Sequence, residues 1–185
     1  MQFTHAIVRP PASTFADGIT SSGLGPPDFG VALEQHEAYC RTLERLGLSL
    51  VRLPPDPEFP DSTFVEDAAI VTSRGAILTR PGAPRRAGEV KAMSAALDRW
   101  FLELDRIGAP GTVDGGDVCE AGEHFFIGLS HRTNEEGAAQ LAAWLAARGF
   151  GSSVIDIQEF GDWRLATRHP CCTSRPGSHG SAVGG

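Results

Sequence analysis

Three times along this chain a short apolar strand ends at an arginine, a loop leads into an amphipathic helix, and strand-like sequence lies beyond the helix. The strands read Ala6-Ile7-Val8-Arg9, Ile77-Leu78-Thr79-Arg80 and Ile127-Gly128-Leu129-Ser130-His131-Arg132. Helices are predicted over 31–46 and 89–102, and from the segment Thr133-Asn134-Glu135-Glu136 onward. Tyr39, Leu43 and Leu46 fall at helical spacing in the first, Val90, Met93, Leu97 and Trp100 in the second, and Ala138, Leu141 and Leu145 in the third, so these faces are expected to turn inward. Thr133 with Glu136 has the capping-box pattern, and Gly47 and Gly149 stand where helices end on glycine. The runs 48–53 and 153–157 then read as strands. Units recurring at roughly 45 to 60 residues suit propellers and arrays. An ordinary layered α/β domain contains the same elements, but recurrence at both ends of the unit favours a repeat.

The 185 residues suffice for one domain with a core. We expect that domain over 1–165, followed by a flexible tail over 166–185 that has no apolar period and ends in Gly-Gly. Net charge is −7 without a basic cluster, which argues against nucleic-acid binding through a basic face. No stretch is apolar enough to span a membrane, and the first residues lack a signal-peptide pattern, so a cytoplasmic protein with no membrane partner is expected. Cys40, Cys119, Cys171 and Cys172 fit neither a disulfide framework nor a zinc site. Cys40 and Cys119 read as small core residues, and His36 as a core or interface histidine.

Chemistry concentrates in four clusters. Pro60-Asp61-Ser62-Thr63-Phe64-Val65-Glu66-Asp67 sets carboxylates among apolar side chains, which is costly unless they meet a cation or donors. Arg80-Pro81-Gly82-Ala83-Pro84-Arg85-Arg86 presents arginines from a stiff loop. Paired glycines in Asp114-Gly115-Gly116-Asp117 allow a close approach of ligand or backbone. Gly128-Leu129-Ser130-His131-Arg132-Thr133-Asn134 ends a strand on arginine before a helix. Each has a plain structural reading: Asp-Gly-Gly-Asp is a common turn, Arg85-Arg86 alone a solvated loop, and Arg132 alone a surface residue. Their combination points to a site that receives a guanidinium with acids and a carboxylate with arginines.

Together these motifs resemble the dimethylarginine dimethylaminohydrolases, a branch of the amidinotransferase/deiminase superfamily, from about His5 to Ile157. The resemblance implies a pentein-type α/β propeller of five pseudo-repeats, of which about three are present. It implies hydrolysis of methylated arginine to citrulline and an amine, without metal or other cofactor, by a cysteine thiolate and a proton-donating histidine. Asp61, with the backbone of Ile19, is then expected to hold the α-amino group of a guanidino amino acid, and Arg86 and Arg132 its α-carboxylate. Glu66 and Asp67 would receive the guanidinium, Phe64 would line the slot, and Asp114 would orient the histidine.

The family's nucleophilic cysteine and catalytic histidine have no match in this chain. His169, His179, Cys171 and Cys172 are the right residue types in the wrong context. Codons for Pro170-Cys171-Cys172-Thr173-Ser174, read in another frame, permit Leu-Leu-His-Leu, a form of the family's histidine motif. We therefore expect a frameshift after about Leu165, a truncated chain that is inactive, and self-association of a partial ring. The alternatives are a guanidino-acid-binding protein without chemistry, or a hydrolase acting on arginine itself.

Overall fold

Ahead of the second and third repeats stands a strand that was not part of the unit read from the sequence, and it pairs with the repeat's own first strand in a hairpin that helps build the core. In the computed structural model, which describes residues 3–20 and 23–158, the first unit is β1 (His5–Val8), α1 (Phe29–Arg45) and β2 (Ser49–Arg52), with β1 and β2 parallel. The second unit begins with an antiparallel pair, β3 (Ala69–Thr72) and β4 (Gly75–Leu78). It continues through α2 (Glu89–Leu97) to β5 (Asp105–Arg106), parallel to β4. The third repeats this plan with β6 (Val118–Ala121), β7 (His124–Leu129), α3 (Glu135–Ala147) and β8 (Gly151–Asp156). Each unit thus contains a strand, a helix and a parallel strand, and the expected repeat is present in all three. The tail expected over 166–185 lies outside the described residues.

The largest apolar cluster joins the second and third units. Ile70 and Ile77 meet Val113, Phe125 and Ile127 of the third unit under Leu141, Trp144 and Leu145 of α3. Ala138, Leu141 and Leu145 are all buried, as their spacing requires. Met93 and Leu97 of α2 seal a second cluster on Ala68, Ala76 and Leu78.

The first unit departs from expectation. Tyr39 and Leu46 are 57% and 74% exposed, and Cys40 is the buried residue of α1. A two-stranded sheet is too narrow to cover the apolar stripe of a long helix. An open apolar groove, lined by Phe3, Ile7, Tyr39, Val71 and Trp100, runs beside β1 and reaches Glu66.

Local corrections follow the same logic. Helix α2 ends at Leu97 rather than 102, because the chain turns at Asp98 to enter β5 and leaves Trp100 42% exposed. The N-cap of α3 is Asn134, whose Oδ1 accepts from the backbone of Gly137; Thr133 is engaged elsewhere. Gly47 and Gly149 do follow their helices at φ 88° and 76°. Cys119 is exposed on β6 rather than in a core, while His36 is half-buried and contacts Cys40 Sγ at 3.7 Å.

Candidate functional site

The three strand-end arginines of the repeat have different fates. Arg9 is buried and reaches Asp56 at 3.4 Å, and Arg80 donates to the Gly111 carbonyl at 3.2 Å. Arg132 alone enters the acidic centre. Its Nη2 lies 2.6 Å from Asp117 Oδ1 and its Nε 3.6 Å from Asp114 Oδ2.

Asp117 explains most of the segment that carries Arg132. Its Oδ2 accepts from Ser130 Oγ at 2.6 Å and Thr133 Oγ1 at 2.8 Å. Ser130 Oγ in turn accepts from the Arg132 and Thr133 amides, and Thr133 Oγ1 from the Asp114 amide. Ser130, Arg132 and Thr133 are therefore fixed by one buried carboxylate. The Arg-Pro-Gly loop packs against the same segment, since a Cβ at Gly82 would lie 2.5 Å from the Arg132 carbonyl oxygen.

The acidic run meets this network through the paired glycines. A Cβ on Gly115 would sit 2.0 Å from the Glu66 carbonyl oxygen, so only glycine allows the two backbones this close. The Gly116 amide donates to Asp67 Oδ1 at 2.9 Å and to Asp114 Oδ1 at 3.1 Å. Asp67 Oδ2 accepts from Arg86 Nη1 at 2.7 Å. Arg86 is buried and also forks onto Glu89, with Nη2 at 2.7 Å and Nε at 3.0 Å. Five of the expected residues thus converge: Asp61, whose carbonyl accepts from Arg86 Nη2, with Asp67, Arg86, Asp114 and Arg132.

The remaining expected residues lie at the rim. Ile19 donates its amide to both oxygens of the buried Asp61, at 3.0 and 3.1 Å. Phe64 is 42% exposed and meets Phe15 at a tilt of 44°, with ring centroids 6.5 Å apart. Glu66 is exposed at the end of the apolar groove. Partial loss of water raises its pKa, an effect that its exposure leaves screened. Cys171, Cys172, His169 and His179 lie outside the described residues.

Three participants were missed in the sequence: Glu89 as the partner of Arg86, and the two hydroxyls, Ser130 and Thr133. For Glu89 the signal was its i+3 spacing from Arg86. For the hydroxyls there was none, because their partner is a carboxylate thirteen or sixteen residues earlier. Among the described residues, no group of three or more His, Cys, Asp or Glu is arranged to hold a metal ion.

Asp114 is the electrostatically strained member. Burial, then the hydrogen bond and charge of Asp67, push its carboxyl up to about 7, against the pull of Arg132. Its free-chain value is 3.8. Between these values the folded chain binds more protons than the unfolded one, so stability falls as pH rises from about 4 through about 7. The expected slope approaches about 1.4 kcal/mol per pH unit for one proton. Urea midpoints measured between pH 4.5 and 8 should decline accordingly, and Asp114→Asn should flatten that decline. An unchanged slope in the variant would exclude Asp114 as the source.

A family model described as arginine deiminase matches residues 53–160, more than half of the chain. The chain belongs to this family. Dimethylarginine dimethylaminohydrolase from Pseudomonas aeruginosa is 49% identical over 158 residues, covering 85% of this chain and 62% of that protein. Its counterpart from Streptomyces coelicolor is 37% identical, covering 85% of this chain and 60% of its own length. The chain therefore spans about three-fifths of the curated relatives it matches. A solved structure of the Pseudomonas aeruginosa protein complexed with citrulline superimposes with a TM-score of 0.83 at 49% identity, over 85% of this chain and 62% of that one. The N-terminal domain of a cyanobacterial arginine dihydrolase shares the fold, with a TM-score of 0.71 at 17% identity. The resemblance to the dimethylarginine dimethylaminohydrolases and the pentein-type α/β architecture are both borne out.

Proposed function

We propose that the converging motifs form the recognition half of a dimethylargininase-type site for a guanidino amino acid. In this reading Asp61, shared with the Ile19 amide, receives the α-ammonium, and Glu66 and Asp67 receive the guanidinium beside Phe64. Arg132 takes the α-carboxylate; Arg86 joins it only by exchanging one of its present contacts with Asp67 or Glu89. The carrying observation is the continuous ion network Glu89–Arg86–Asp67, with Asp114, Arg132 and Asp117. It holds carboxylates and guanidinium groups in fixed alternation before any ligand enters. The kinship with citrulline-binding and dimethylarginine-hydrolysing proteins supports the ligand class.

In the same reading the whole enzyme hydrolyses N-ω-methylated arginine to citrulline and an amine, with Asp114 orienting a histidine. Such a partner suits a buried acid whose present cations stand at 3.6 and 3.7 Å. The described cysteines do not supply the thiolate: Cys40 is buried in α1 and Cys119 lies exposed on β6. Burial also raises the Cys40 thiol, away from nucleophilic ionisation.

The 185-residue chain is expected to bind L-citrulline and L-arginine saturably in a calorimetric titration and to release no citrulline from dimethylarginine above background. Robust turnover by the purified chain would overturn the inactivity, and absence of both binding and turnover would overturn the recognition reading. Self-association belongs to this reading, supported by the apolar groove beside β1. A monodisperse monomer in sedimentation of the same sample would remove it.

A further inference from the structure

The acidic run is crossed by the segment from Thr14 to Ile19, which is tied down along its length. Thr14 Oγ1 donates to the Pro57 carbonyl at 3.0 Å, and Phe15 meets Phe64. Ile19 N–H bridges the two oxygens of Asp61. Gly18 passes so close that a Cβ there would lie 2.6 Å from Asp61 Oδ1. Between Phe15 and Ile19 the backbone makes a short 3-10 turn over Phe15–Asp17 and leaves it through Gly18, which is extended at φ −61°. The segment closes its own turn, with Asp17 N–H on the Thr14 carbonyl at 2.8 Å and Gly18 N–H on the Phe15 carbonyl at 3.2 Å, and one tie comes from outside: Arg85 Nη2 donates to the Asp17 carbonyl at 2.9 Å. Consecutive arginines thus divide the work, with Arg86 buried in the ion network and Arg85 exposed and reaching over to the strap.

We propose that Arg85 is a positioning residue. By holding the Asp17 carbonyl it orients the strap so that the Ile19 amide stays on Asp61, and thereby sets how the α-amino end of a ligand is received. The inference rests on the recognition reading above for its ligand, though not for its geometry. The 17–18 peptide is held on its N–H side by Phe15 and on its carbonyl side by Arg85, which leaves only the torsions of Gly18 between it and the Ile19 peptide plane. With Arg85 in place, Asp61 presents lone pairs in one direction to an incoming ammonium. Without it, the strap samples orientations that a ligand must reorder on binding, which weakens affinity.

The test uses the 185-residue chain, with amide hydrogen exchange over residues 14–20 and calorimetric titration with L-citrulline. Arg85→Met keeps most of the apolar stem and removes every donor; Arg85→Lys restores one donor able to reach a carbonyl. In Arg85→Met, exchange at Ile19 should accelerate and the citrulline Kd should rise, each by roughly threefold to tenfold, the scale of one exposed hydrogen bond. The thermal midpoint should fall by no more than about 5 °C, and Arg85→Lys should recover most of both effects. Unchanged exchange at Ile19 in the methionine variant would overturn the proposal. So would equal losses in both variants, since a restored donor without effect is the signature of a merely structural role. If the parent chain binds no citrulline, the recognition reading fails, while Ile19 exchange still decides the latch.

Discussion

Replacing Asp117 by alanine should destabilise the protein by about 3 kcal/mol, because two hydroxyls and a guanidinium lose their shared acceptor at once. The Asp117 side chain is fully buried, and Arg132, Ser130 and Thr133 all donate to it. For a domain of this size the thermal midpoint should fall by roughly 6–12 °C. Ser130→Ala leaves the carboxylate satisfied by the other two donors but also removes the acceptor of the Arg132 and Thr133 amides, so its effect should be smaller, about 2 kcal/mol. The contrast is the test. If thermal or urea unfolding gives Asp117→Ala and Ser130→Ala similar small shifts, Asp117 is not the hub described above. Citrulline affinity should fall with Asp117→Ala as well, since Arg132 loses the contact that aims it.

Glu89→Ala is expected to have an effect of at least similar size, by a different route. Glu89 and Arg86 are 4% and 7% exposed and meet through a fork of two guanidinium nitrogens. Removing one member of a buried pair strands the other charge, at a cost of about 3–5 kcal/mol. Arg86 keeps Asp67 at 2.7 Å and Asp114 at 3.7 Å, which lessens the cost and changes the site. Drawn onto Asp67, the guanidinium competes with a ligand for the same carboxylate, so affinity for L-arginine should drop alongside stability. Glu37→Ala, which breaks exposed contacts to Arg41 and Arg52, should leave the unfolding midpoint where it is. Equal midpoints for the two variants would show that the Arg86–Glu89 pair is not a structural determinant.

The legible parts of the sequence were those governed by local rules. The third helix was read correctly because Ala138, Leu141 and Leu145 face a complete three-stranded sheet and apolar spacing therefore equals burial. Tyr39 and Leu46 obey the same spacing and fail, since the sheet beneath α1 has two strands. Thr133 illustrates a second kind of failure. Its place before Glu136 satisfied the capping pattern, yet the hydroxyl accepts from the Asp114 amide and donates to Asp117, and Asn134 took the cap. Arg85 and Arg86 are alike in local chemistry and only the family resemblance singled out Arg86, yet one is exposed while the other is buried.

The order and composition of the motifs were enough to establish ancestry, the repeated strand–helix–strand unit and the group of acids and arginines that the proposed site draws on. Those features are written into the chain because periodicity, glycine placement and residue chemistry act over a few positions. Which carboxylate holds which guanidinium was decided only by the tertiary structure. Asp67 meets Arg86, Arg132 turns to Asp117, and Asp114 is left buried with cations no nearer than 3.6 Å. The physical reason is that ion pairing depends on distance, burial and the number of competing donors. The fold sets these by bringing residues 61–67, 86–89, 114–117 and 130–133 into contact across long separations.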